Sequence, residues 1–500
     1  MIPEQDLEPS IQIAALDLGS NSFHLVIAGV NQGEVRIKDK ISEKVQLGAG
    51  IGADNCIDEA AQKRAFDCLA RHSERLSGLS QDCVKVVGTN ALRQAKNSKA
   101  FLAKAEELLG YEIDIIGGRE EARLVYLGVS HTLADDTGSR LVMDIGGGST
   151  EFIIGSRFET SLTESLNMGC VSYAKRFFAK EVNEYNFNRA IMAAKQQLAS
   201  IKKDLIKQQW NTCVGSSGTI RAITNLLIHQ GKVDETLELE HLYDLRTQLL
   251  EFNKREDIEI EGLSPLRAPV LPSGLSILIA TFETLGLKAM TYSTGALREG
   301  LLYDMLGRID HEDVRDRTVQ ALAVRYHVNL ERANRVNSTA YELLNTLGPN
   351  RLTQPKLKTF LGWAADLYQI GLSVAHSGFH KHGSYLIKYS DLPGFTKKEQ
   401  AFLASLVLNH RHDFVTYKTS SALNPMSHDY KVLSVCLRLA LLIQRGNIES
   451  NIEVLAFSKI NENYTLKFQD GWQESNKLLN VDIENEIQYL KDVGINLEVS

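Results

Sequence analysis

The chain of 500 residues exceeds one ordinary core, so about two to four domains are expected. Its 43% hydrophobic and 23% charged residues are those of a globular chain, and a formal net charge of −7 argues against a broad nucleic-acid-binding surface, so no nucleic acid polymer is expected as a partner. The six cysteines form no C-x-x-C pair, the N-terminus is short and acidic, and no apolar run approaches the ~18 residues that span a bilayer. These features predict a cytoplasmic protein with reduced thiols, and leave room only for peripheral association at the inner face of the cell membrane.

Residues 12–50 read as strands, beginning with LDLGSNSFHLVIA (16–28), in which two apolar runs flank a glycine turn. Residues 57–78 have helical spacing, and VKVVG (84–88) is a short buried strand. Thr89 or Asn90 can cap the next helix, which puts Arg93 in its first turn. There Arg93 is either an anion contact or a solvated helix residue, with equal weight. A helix over 98–109, the strand YEIDIIGG and a helix beginning REEARL follow. Glu120 and Glu121 open that last helix, where carboxylates favour the macrodipole without further role. Alternatively, one of them faces a cleft as a general base.

The segment LVMDIGGGSTEFIIG (141–155) is a second strand, glycine turn and strand. Residues 16–28 lie over 143–155 without a gap, matching Asp17 with Asp144, Gly19 with Gly146 and Ser22 with Ser149. Such internal repetition predicts two related halves facing each other, with two turns clamping a polyphosphate. Successive amides in such turns form anion-binding nests, and Asp144, at the lip, is placed to hold a hydrated Mg²⁺. NTCVGSSGTIRAI (211–223) supplies a third candidate phosphate loop, Gly215, Ser216, Ser217, Gly218 and Thr219. Residues 269–287 read as a buried helix and 293–306 as a glycine turn opening another, where Arg298 and Glu299 are as readily structural as ligand-facing.

From about Gly307 strand-like runs give way to helical periodicity up to about residue 446. This region holds His376, His380, His382, His410 and His412, with no i, i+4 pair matched to a carboxylate. They read as surface or polar-core histidines ahead of a metal site. Short β-type runs return in the last fifty or so residues.

The motifs DLGSNSFHLVI, VGTNALRQA, GGREEARL, DIGGGSTE, MGCVS, GSSGT, PSGL and GALREGLLY, in this order, resemble the exopolyphosphatase / guanosine pentaphosphate phosphohydrolase family. The resemblance covers nearly the whole chain. It implies an α/β fold of two actin-like, RNase H-like domains around a cleft (1–125 and 126–306). An all-helical HD-like domain (307–446) and a small C-terminal α+β domain (447–500) would follow. It also implies Glu121 as the catalytic carboxylate, with Asp144 and Glu151 handling Mg²⁺ and the attacking water. Phosphates would be held by Asp17, Gly19, Ser20, Asn21 and Ser22, by Gly146, Gly147, Gly148 and Ser149, by Gly215 to Thr219, and by Arg93. HSGFHKHGSYLI and SDLPGF look closer to the long bacterial exopolyphosphatase, so the first expectation is Mg²⁺-dependent, processive hydrolysis of inorganic polyphosphate, by a homodimer. The alternative is removal of the 5′ γ-phosphate of guanosine pentaphosphate. An ATP-gated actin-like module and a sugar kinase fit less well, because GGREEARL places a base suited to water. The stretch DLYQIG stands where related helical domains often carry His-Glu, so Tyr368 and Gln369 argue against a second, metal-dependent site there.

Overall fold

The computed structural model describes residues 11–31, 34–133, 138–309, 313–348, 352–353, 357–415, 427–445, 454–460, 463–469 and 476–500. The chain forms two compact units, Met1–Glu312 and Asp313–Ser500.

The first unit carries two sheets of the same plan. Strands β1 (Ile11–Leu18), β2 (Ser22–Asn31), β3 (Glu34–Lys44), β4 (Val84–Gly88) and β5 (Ile113–Ile115) are ordered β3-β2-β1-β4-β5. The second sheet contains β6 (Ser139–Ile145), β7 (Thr150–Ser156), β8 (Glu159–Leu166), β9 (Thr212–Ser216), β10 (Thr236–Leu237) and β11 (Met290–Tyr292). Its order, β10-β11-β9-β6-β7-β8, repeats the first with β10 added at one edge. In both, an antiparallel hairpin delivers a third strand, and the first strand then pairs in parallel with the fourth. The duplication seen in the sequence is thus a duplication of whole sheets; β8 is a strand the periodicity did not indicate.

Alternation along the strands divides the core. Ala14, Leu16 and Leu18 of β1 face one layer, with the helix Glu59–Leu76 packed on it; Ile13 and Ala15 face the other. That second layer is shared with Val142, Ile153 and Val214 of the other sheet and is filled by the helices Gly118–Ser130 and Leu297–Ile309. The two helices cross so closely that a Cβ on Gly300 would lie 1.8 Å from the Leu124 carbonyl oxygen, so only glycine fits. Arg123 locks the crossing, bonding Glu120 at 2.7 Å and Asp304 at 2.6 Å. The residues 268–285 are apolar enough, by length and composition, to cross a bilayer, contrary to the expectation that no run approaches that threshold. However, 78% of that stretch is buried inside the protein, where the helix Leu271–Leu285 forms the core of the second half.

The second unit is helical, with the helices Val314–Arg325, Leu330–Thr346, Lys358–Leu367, Phe379–Tyr389, Lys397–Leu408 and His428–Ile443. Strands β12 (Val454–Ile460), β13 (Asn463–Phe468) and β14 (Asn496–Val499) form a small sheet, and a further helix, Lys477–Lys491, precedes the last strand. Phe457, Tyr464 and Leu466 of this sheet share one apolar core with Leu433 and Phe402 of the helices. The fully buried Arg438 ties the two parts through both oxygens of Glu486 and the carbonyls of Asn409 and His412. His380 and His410 are buried, and burial pushes their imidazoles down to about 4 and about 3. Tyr368, in the DLYQIG stretch, packs its buried ring edge-on against His410.

Candidate functional site

The first unit has a cleft lined by both repeated turns. Register places Asp17 opposite His24 in the β1–β2 hairpin and Asp144 opposite Glu151 in the β6–β7 hairpin. The two turns touch. A Cβ on Gly147 would lie 2.9 Å from the Ser20 Cβ, and one on Gly148 2.2 Å from Asn90 Oδ1. Gly147 is therefore what lets the second turn close on the first, and Gly148 what lets it close on Asn90. The Gly146 and Gly147 carbonyls accept from the amides of Cys170 and Val171, which anchors the turn to the helix Cys170–Phe177.

The helix Gly118–Ser130 resolves the ambiguity of its two glutamates. Glu120 is held by Arg123 on the side of the crossing helix, whereas Glu121 lines the cleft. Arg93 donates to the Ile116 carbonyl at 2.8 Å and to Glu121 Oε2 at 3.3 Å. Its guanidinium thus braces Glu121 and does not line the cavity.

Asp17, Glu121, Asp144 and Glu151 share this space, and their ionisation is mutually opposed. Burial pushes Asp144 up to about 7, Glu121 adds repulsion, and Ser216 and Arg298 offset part of it. Burial also raises Glu151, with repulsion from Glu121 and Asp144, while Ser149 and Ser165 oppose the rise. Ser165 Oγ donates to Glu151 Oε1 at 2.8 Å. Glu121 is raised by burial, an effect Arg93 counters. Asp17, although part of its surface is open to the cleft, is raised well above the ordinary range by desolvation and then by Glu121, and its Oδ1 has no partner among the described residues. Carboxylates crowded in this way could hold a cation, whose charge would relieve their repulsion.

The opposite pole is basic. Arg221, Arg267 and Arg298 line the cleft with His24 and Tyr292. The guanidinium groups of Arg221 and Arg267 make no hydrogen bond or ion pair with the described residues, and that of Arg267 lies against Gly218, 2.1 Å from where a Cβ would stand. Burial and this field of cations press the His24 imidazole down to about 3, so it is neutral. Arg298 also bonds Glu299, whose second oxygen accepts from the Ala296 amide.

The structure thus brings together Asp17, Gly19 to Ser22, Glu121, Asp144, Gly146 to Ser149, Glu151 and Ser216 to Gly218. It leaves three expected phosphate contacts outside the lining. Besides Arg93, Gly215 packs against Ile220 and Met290, and Thr219 is buried against Gly274. The turn therefore offers only its middle residues, at the N-terminus of the helix Ser217–His229, with Ser217 at φ 85°. Sequence reading missed His24, Asn90, Arg221, Arg267 and Tyr292. The repeat held the signal for His24, which falls on Glu151 when the halves are superposed. The arginines lie in unrepeated segments and carried no such mark.

Two repeated halves closing on an acidic and basic cleft define a protein of the actin-like class. The family model described as "Ppx/GppA phosphatase family" matches residues 26–309, and "Ppx/GppA phosphatase, domain III" matches 314–487. The chain belongs to this family and is a hydrolase of it. It is 39% identical over 488 residues, 97% of each chain, to a guanosine-5′-triphosphate,3′-diphosphate pyrophosphatase of Vibrio cholerae. It is 39% identical over 490 residues to a protein of that name from Aeromonas hydrophila, covering 96% of this chain and 97% of the relative. A crystal structure of an exopolyphosphatase from Cytophaga hutchinsonii is similar at a TM-score of 0.55 and 27% identity, over 59% of this chain and 98% of that one. The comparisons lean away from the exopolyphosphatase expectation drawn from HSGFHKHGSYLI and SDLPGF, because the relatives matching nearly the full length carry the guanosine name.

Proposed function

We propose that this protein hydrolyses the 5′ γ-phosphate of guanosine-5′-triphosphate,3′-diphosphate, releasing orthophosphate and leaving the 5′-diphosphate,3′-diphosphate. Similarity along 97% of both chains to enzymes named for that substrate carries the choice. The chemistry rests on the two-pole cleft.

In this reading the phosphate chain lies along Arg267, Arg221 and Arg298, with its terminal phosphoryl against the Gly146–Ser149 and Ser216–Gly218 turns. Asp144, Glu151 and Asp17 are the residues that would hold Mg²⁺, which supplies charge neutralisation of phosphate oxygens. No three carboxylates of the cleft bring ligating atoms within 4.8 Å of one another among the described residues, so the fit is to a hydrated ion held largely through water. Glu121 orients and deprotonates the attacking water. The water oxygen bonds to phosphorus, the bridging oxygen leaves with the electron pair on the β-phosphate, and the proton passes to Glu121. Burial raises the Glu121 carboxyl above its ordinary range, which strengthens it as a base, and Arg93 holds that rise in check. A homodimer in the cytoplasm is carried with this proposal; light scattering that reads a monomer at micromolar concentration would remove the dimer.

The test is orthophosphate release from guanosine pentaphosphate and from long-chain polyphosphate in parallel, each with Mg²⁺ and with EDTA. Faster Mg²⁺-dependent release from the pentaphosphate is expected. Faster release from polyphosphate would overturn the substrate and leave the cleft chemistry intact.

A further inference from the structure

Away from the cleft, Glu43 on β3 and Cys68 and His72 on the helix Glu59–Leu76 bring three ligating atoms within 4.8 Å of one another. Cys68 and His72 are four residues apart, one helical turn, so both project on the same face, onto the strand that carries Glu43. Cys68 Sγ lies 3.4 Å from His72 Nε2, and that nitrogen 4.0 Å from Glu43 Oε1. Zinc bonds sulfur at about 2.3 Å and imidazole nitrogen at about 2.0 Å, and a tetrahedral angle between them separates the two ligands by about 3.5 Å. The sulfur–nitrogen separation, a hydrogen bond without an ion, is therefore already close to the one a shared ion would need.

Cys68 and His72 are buried, and Glu43 is about a quarter exposed, which gives an ion a way in. The Nδ1 of His72 has no partner among the described residues, so the polar contacts of the ring are made through Nε2, inside the cluster. Arg71 Nε donates to Glu43 Oε2 at 3.1 Å, and its second nitrogen also bonds that oxygen. Arg71 Nε reaches Oε1 as well, at 3.4 Å, so the guanidinium fixes the carboxylate while Oε1 stays within 4.0 Å of the imidazole, and a carboxylate fixed by an outer partner is the usual arrangement of a metal ligand.

We propose that Glu43, Cys68 and His72 form a zinc site that cross-links β3 to the following helix, on the outer layer of the first half and separate from the phosphate cleft. The donor set, one thiol, one imidazole and one carboxylate, suits a borderline-soft ion and not Mg²⁺. Binding exchanges the thiol proton, released to solvent, for the sulfur–zinc bond. The three protein ligands leave a fourth position for water.

The full chain, stripped with EDTA and desalted, is titrated with Co²⁺ as a spectroscopic substitute and then with Zn²⁺. One equivalent of Co²⁺ should produce a thiolate-to-cobalt charge-transfer band, and Zn²⁺ should abolish it. The band should vanish in Cys68→Ser, and affinity should fall at least about 10-fold in His72→Gln, with phosphate release retained in both. Zn²⁺ should also protect Cys68 of the unaltered protein from alkylation, read by peptide mass spectrometry, which needs no variant to fold. Absence of the band, its persistence in Cys68→Ser, or unprotected alkylation of Cys68 under saturating Zn²⁺ would each overturn the proposal.

Discussion

Replacing Asp144 with asparagine should make the metal-free protein more stable at alkaline pH. The Asp144 carboxyl stands at about 7 in the fold, against an ordinary 3.8, because it is buried and faces Glu121. Between those values the unfolded chain has released the proton and the folded chain has kept it. The unfolded state then binds fewer protons, so stability falls as pH rises from about 4 to about 7 and is level beyond. At about 1.36 kcal/mol per pH unit the loss reaches about 4 kcal/mol above pH 7. The amide of Asp144→Asn cannot ionise and escapes it. At the low end of the range for large domains, about 2 °C per kcal/mol, the variant should melt up to about 8 °C higher at pH 8. The assay is scanning calorimetry in EDTA from pH 5 to pH 8, in which the variant's advantage should grow with pH. Adding Mg²⁺ should raise the Tm of the unaltered protein and narrow the gap. A variant no more stable than its parent at pH 8 in EDTA would refute the account of the cleft as a cluster of opposed carboxylates awaiting a cation.

Three further outcomes follow from the same geometry. Glu121→Gln keeps size and removes the base, so kcat should fall by about 10²–10⁴ with KM little changed; near-normal turnover would remove Glu121 from that role. Arg267→Ala deletes a guanidinium that has no protein partner among the described residues, worth about 1.5–3 kcal/mol on a bound phosphate. KM should rise roughly 10- to 100-fold, and an unchanged KM would place the phosphate chain elsewhere. Arg438→Met leaves Glu486 buried and unpaired and should destabilise the second unit by about 3–5 kcal/mol in denaturant melts; the double variant Arg438→Met/Glu486→Leu should recover most of it, or the ion pair is not what joins the helix Lys477–Lys491 to the helix His428–Ile443.

The parts of the fold that repeat or alternate could be read directly. The gapless match of 16–28 with 143–155 anticipated two sheets of one plan, because a strand–turn–strand unit has a period and a punctuation that survive in sequence. β8 did not stand out, since ETSLTESL alternates only weakly and shows polar residues at most positions. The helix Lys477–Lys491 was expected only through the resemblance, as part of a small α+β unit, because the residues themselves pointed only to short β-type runs. The phosphate turns were visible through their glycines, yet which members of each turn face inward depends on tertiary packing: Gly215 and Thr219 are consumed by Ile220 and Gly274. Arg93 was placed near the cleft but read as an anion contact, whereas its guanidinium has an acceptor, Glu121, from a helix some thirty residues later.

The divergence between the halves is what turns a symmetric clamp into a polar one. The hairpins are equivalent in register, but the position opposite the repeated aspartate is His24 in one and Glu151 in the other. A glutamate at position 24 would add another carboxylate to a space where Asp17, Glu121, Asp144 and Glu151 already raise one another. The imidazole instead stays neutral beneath Arg298, Arg267 and Arg221, so the first half contributes little negative charge on that side and Arg221 and Arg267 stay open to an anion. Fold duplication therefore supplies two turns equivalent in register, and the exchange of histidine for glutamate makes them unequal in charge, with a neutral imidazole opposite Asp17 and a carboxylate opposite Asp144. The repeat makes the turns legible, while their difference in charge rests on residues that the repeat does not share.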